Sequence, residues 1–163
     1  MPGPAYTPSF QNVQKLAEVQ SQLNLGQFSV DKPDLDKISI RGNTMVSPTG
    51  SFASYLQGAV TSELKLANKL ADADAPELSA VIMENDLSVP IAPTGSGKMC
   101  VQFIVKKNKS PVFQKQVSGE VTFPSSFIGA VAIPNAIRAY PDLVANLLEN
   151  LYGDSDFLNA TKK

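Results

Sequence analysis

The chain contains no histidine and no tryptophan, and one cysteine, Cys100, in 163 residues. Without histidine it lacks the commonest general base at neutral pH and the commonest transition-metal ligand. A single cysteine excludes an intrachain disulfide and a thiolate zinc cluster. No imidazole is present to activate Cys100 as a nucleophile, so it reads as a small apolar strand residue. Charge is also scarce: charged residues make up 18% of the chain and the net charge is −1. There is no basic field to displace counterions from nucleic acid, and none to draw the chain broadly to anionic lipid. No apolar run reaches the roughly 18 residues that a membrane-spanning helix needs. These absences predict a protein that is not an enzyme, with no cofactor, no metal site and no nucleic-acid partner.

What is present suits one domain. The hydrophobic fraction is 43%, and a chain of this length buries a core without disulfide or metal staples. Residues 1–9 hold Pro2, Pro4 and Pro8 and no charged side chain. They lack the basic and apolar regions of a signal peptide. They read as a flexible proline-rich leader, extended over roughly 28 Å at about 3.1 Å per residue. Two origins stay open: the loose end of a cytoplasmic protein, or the spacer of a domain whose targeting segment has been removed. Residues 10–158 form the expected single domain, and 159–163 a tail.

Periodicity supplies the elements. A short helix is expected over 10–20, and extended segments over 22–30 and 37–46, separated by turn residues at Asp31-Lys32-Pro33-Asp34. Phe52, Tyr55, Leu56, Ala59, Val60, Leu64, Ala67 and Leu70 recur at helical spacing, with Ser51 as N-cap and the stretch from Asp72 to Pro76 as the end. Three strands follow, at 78–87, 99–106 and 112–123. The last two alternate, which puts one face of the sheet in the core and the other in water. Lys107-Asn108-Lys109-Ser110 is a hairpin loop. The last third is helical, and Pro141 is expected to divide it into 126–139 and 141–152. The fold class is therefore α+β, a mostly antiparallel sheet with helices packed on one face.

Four features invite a chemical reading. Ala92-Pro93-Thr94-Gly95-Ser96-Gly97-Lys98 looks like a phosphate loop. That chemistry requires a hydroxyl after the lysine and a helix starting there. Met99 follows instead and opens a strand, so the nucleotide-binding reading is weak and a glycine-rich connection is preferred. Glu63, Glu77, Glu84, Asp86 and Glu120 are scattered; Glu84 and Asp86 share one strand face, which suits cation binding but is more often a solvated face, and a carboxylate enzyme would draw on such acids with Lys98 or Arg41. Asp72, Asp74, Asp154 and Asp156 read as loop acids near helix ends. Finally, Ser125 to Pro134 is ten residues without a charge. It reads as a buried helix on the sheet or, through Phe127, Ile128 and Val131, as an apolar partner surface.

Several runs carry a family resemblance. They are Pro8-Ser9-Phe10-Gln11-Asn12-Val13-Gln14, Arg41-Gly42-Asn43 with Ser47-Pro48, Gly50-Ser51-Phe52-Ala53-Ser54-Tyr55-Leu56, Thr61-Ser62-Glu63-Leu64, the stretch from Ser125 to Ile137, and Asp154 with Phe157. From about residue 8 to 158 the chain resembles small proteobacterial lipoproteins of the cell envelope, most of uncharacterised function. The layout is also similar to accessory lipoproteins of lipid and polysaccharide transporters. The resemblance implies a binding or scaffolding domain in the periplasm, anchored to the outer membrane, with an unknown protein or lipid partner in the envelope. It also implies a lipidated cysteine at the mature N-terminus, and this chain has no cysteine before residue 100. The membrane would then be reached only through an N-terminal lipid anchor that this chain does not contain.

Overall fold

The alternation expected of the strands becomes a mixed four-stranded sheet. The structure, a computed structural model, describes residues 1–71 and 74–162. In order across the sheet run β1 (Asn24–Val30), β4 (Glu77–Ser88), β5 (Thr94–Lys107) and β6 (Ser110–Pro124). β1 lies parallel to β4, and the other pairs are antiparallel. Met99, Val101, Phe103 and Val105 of β5 are buried, as are Phe113, Val117 and Phe123 of β6. The helices cover that face: α1 (Phe10–Leu16), α2 (Phe52–Leu66), α3 (Gly129–Tyr152) and the short α4 (Ser155–Ala160). The fold is α+β, as the patterning requires.

The helix–sheet contact is close because glycine permits it. A Cβ at Gly119 on β6 would stand 2.7 Å from the backbone nitrogen of Leu147 in α3. Buried Leu143, Val144, Leu147, Leu148 and Leu151 line that side of α3.

Several expectations are corrected. The second extended segment is a hairpin, β2 (Ile38–Ile40) against β3 (Asn43–Met45). Arg41 and Gly42 turn the chain with φ of 48° and 80°, the left-handed pair that a two-residue turn demands. The last helix is not divided at Pro141; α3 runs through both Pro134 and Pro141. Interior proline costs about 3 kcal/mol. Burial of about 1.5–3 kcal/mol per large aliphatic side chain on both sides of it outweighs that loss. The first long helix ends at Leu66, with Ala67 as C-cap; the expected end at Asp72 lies outside the described residues.

The terminal segments also differ from expectation. Residues 1–9 are not a free leader. Val46 donates its amide to the Met1 carbonyl, Gly3 donates to the Val46 carbonyl, and Pro2 and Val46 form a parallel bridge. Further along, the Tyr55 hydroxyl donates to the Pro4 carbonyl, and the Tyr6 ring meets that of Tyr55 edge-on. Proline keeps the segment extended, and its free carbonyls pair with the body rather than with water. It is a strap and supplies no spacer length. At the other end, α4 and the buried Thr161 belong to the domain rather than to a tail.

Candidate functional site

Among the described residues that the sequence offered for chemistry, none converge on a reactive cleft. Thr94 to Lys98 lie inside β5, where Gly95 pairs with Phe123 and Gly97 with Val121. No helix follows Lys98, so no helix N-terminus faces a phosphate position. Lys98 instead reaches across to Glu84 at 3.7 Å, both about half exposed. The glycines keep room for packing: a Cβ on Gly97 would press on Leu87 and Val121. The connection between β4 and β5 is formed by residues 89–93 rather than by the glycines.

Cys100 lies on the outer sheet face, half-buried, 3.8 Å from the Gln116 carboxamide oxygen. Asp154 caps α4 by accepting from the Phe157 amide at 3.0 Å. Asp154 and Asp156 share the Lys115 ammonium at 2.7 and 3.1 Å. Partial desolvation works against ionisation of Asp154, but Lys115 and the Phe157 amide hold its carboxyl below the usual range. Among the described residues no group of three or more acids or thiols stands at metal-binding distance.

One carboxylate is unlike the rest. Glu63 projects from α2 into the interior and is fully buried. Its Oε2 accepts from the Tyr6 hydroxyl at 2.7 Å and the Ser9 amide at 2.8 Å. Its Oε1 accepts from the Tyr152 hydroxyl at 3.3 Å and from Asn12 Nδ2 at 3.4 Å. Burial pushes its carboxyl above the usual range, against the pull of these donors. Burial and the neighbouring Glu63 charge push Tyr6 and Tyr152 above the ordinary phenol range. This centre joins the strap to α2 and α3. The signal lay in the spacing: Glu63 falls on the same helical face as Leu56, Ala59, Val60 and Leu64.

The open candidate is one end of the sheet. Phe127, Ile128 and Val131 are 79%, 58% and 48% exposed, while Ala132 in the same run is buried. The charge-free segment is therefore neither wholly buried nor wholly exposed. Ile91, at 71% exposed, lies in the facing loop between β4 and β5, which sequence reasoning passed over. Arg41 fixes both loops. Its guanidinium donates to the carbonyls of Val89 (3.0 Å), Pro90 (2.8 Å), Ser126 (2.5 Å) and Phe127 (3.4 Å). The Ser125 hydroxyl adds a bond to the Pro90 carbonyl at 2.7 Å. A left-handed arginine backbone is costly, and these four bonds hold it there. The result is an apolar tip whose two loops are tied together through Arg41 and Ser125.

No family model matches the chain, and no curated protein matches its sequence. Solved structures do share the fold. Protein XCC0632 from Xanthomonas campestris, described by the family model DUF330, superposes with a TM-score of 0.66 at 13% identity, covering 97% of this chain and 94% of the other. A protein from Caulobacter crescentus CB15, described as a candidate lipoprotein, superposes with a TM-score of 0.54 at 14% identity, covering 94% and 98%.

Proposed function

We propose that this chain is the non-enzymatic binding or scaffolding domain of a bacterial cell-envelope lipoprotein. In this reading it works on the periplasmic side, anchored to the outer membrane, as an accessory to envelope assembly or transport. The tip formed by Ile91, Phe127, Ile128 and Val131 is its docking surface. The observation that carries the reading is the tip itself: four large apolar side chains held out by an arginine that spends its donors on fixing their loops. Contiguous exposed apolar surface on a soluble domain marks a site of contact. The fold shared with a protein described as a candidate lipoprotein supports the compartment.

The test is to express the complete native gene, fractionate the cells and label with a fatty-acid analogue. The expected result is a labelled product that fractionates with the outer membrane. An unlabelled cytosolic product would overturn the proposal.

A further inference from the structure

The tip and the chain's amino terminus lie at the same end of the molecule. β2 and β3 turn at Arg41-Gly42, and the Arg41 guanidinium touches the tip loops. β3 leaves that turn at Asn43, and residues 1–3 run parallel beside it. The Met1 ammonium donates to the Thr44 carbonyl at 3.0 Å. Met1 thus stands three positions along the hairpin from Arg41, about 10 Å at strand rise. The opposite end is just as well defined. β5 begins at the tip with Thr94 and runs for 14 residues to Lys107, whose ammonium donates to the Lys162 carbonyl. Lys162 therefore lies about 40 Å from the tip at strand rise. Leu66, 65% exposed, also lies at that far end, since Lys69 just beyond it bonds the amide of Leu23 immediately before β1.

The charge pattern fits one kind of surface. Residues 87–97 and 121–137, which build the tip, contain no charged side chain. Arg41 is the cation beneath them, with its donors turned inward to backbone carbonyls. A protein partner is ordinarily met with a polar or charged rim around an apolar centre. Loops with no charged side chain suit the boundary between headgroups and acyl chains, where a charge is penalised and aromatic and aliphatic side chains enter several ångströms.

We infer that the tip is a lipid-facing wedge: a chain held to a bilayer by its amino end lays Ile91, Phe127, Ile128 and Val131 into that same bilayer. This rests on the envelope reading above, and it fixes an orientation that a lipid anchor alone leaves free. The far end of the sheet then points away from the membrane.

The absence of tryptophan makes the test direct. F127W and L66W, both at exposed positions, are prepared in the full chain with an amino-terminal histidine tag. Each is bound to nickel-chelating phosphatidylcholine vesicles with brominated acyl chains, alongside unbrominated controls. The expected result is a blue shift and loss of emission for F127W on brominated vesicles, with L66W unchanged. Emission of F127W that is unaffected by bromine overturns the inference, as does equal quenching of both variants. A blue shift of F127W on concentrating the protein without vesicles overturns it in favour of an interface between copies. Failure of the native protein to take up fatty acid would remove the lipoprotein reading and leave this orientation result standing.

Discussion

Glu63 gives the sharpest test of the packing described here. Replacing it with alanine removes the acceptor for the Ser9 amide and for the Asn12 carboxamide. The Ser9 amide is part-buried and Asn12 keeps its bond to the Ala145 carbonyl, so the loss is set at about 1–3 kcal/mol, still a large part of the roughly 5–15 kcal/mol that holds a domain of this kind together. Glutamine should be milder, because the hydroxyls of Tyr6 and Tyr152 can rotate to accept from the new amide. The pH dependence has a definite sign. Burial raises the folded-state pKa of Glu63 above its unfolded value, so the folded protein binds the extra proton. Stability from this group is full below the usual glutamate range and is lost as pH rises through the raised value. Asp154 contributes with the opposite sign, but it is common to parent and variant and cancels in their difference. Urea denaturation of parent and Glu63→Gln between about pH 4 and 8 isolates the slope. The parent should lose stability relative to Glu63→Gln as pH rises. Parallel curves, or a loss under about 1 kcal/mol in Glu63→Ala, would refute the account of this centre.

Other perturbations follow from the same packing. Leu56 is fully buried on α2, and Leu56→Ala should cost about 2–5 kcal/mol in chemical denaturation. Gly119→Ala forces a methyl against the Leu147 backbone and should cost about 1–3 kcal/mol, more than an alanine ordinarily costs in a strand. Pro141→Ala restores a donor inside α3 and should raise stability, by up to about 3 kcal/mol, in the same assay. Lys98→Ala should leave ATP titrations flat, as in the parent; saturable micromolar binding abolished by the change would revive the phosphate-loop reading.

The strands, the helix faces and the Ser51 cap were legible because each is a local pattern. Ser51 accepts from the Ser54 amide as its position before Phe52 implies, and Lys107 pairs with Ser110 around the expected turn. Readings failed where distant residues decide. Pro141 argues locally for a break, and the sheet beneath α3 overrules it. The prolines of residues 1–9 argue for a free leader, yet the acceptors and donors that hold it belong to Val46, Tyr55 and Glu63. Arg41 looked like a candidate catalytic cation. Its role depends on two loops about 50 and 85 residues further along, and no local spacing records that.

The strap sets an order of events in the life of the chain. The hairpins from β4 to β6 and helix α3 close over short loops, whereas Asn12 must find the carbonyl of Ala145, 133 positions away, and Glu63 must find Tyr152. Long-range closure is slow because its entropy is lost before any contact forms. A polypeptide that emerges amino end first, from a ribosome or through a membrane pore, therefore carries Asn12 without the Ala145 carbonyl, and Glu63 without the Tyr152 hydroxyl, until α3 has followed.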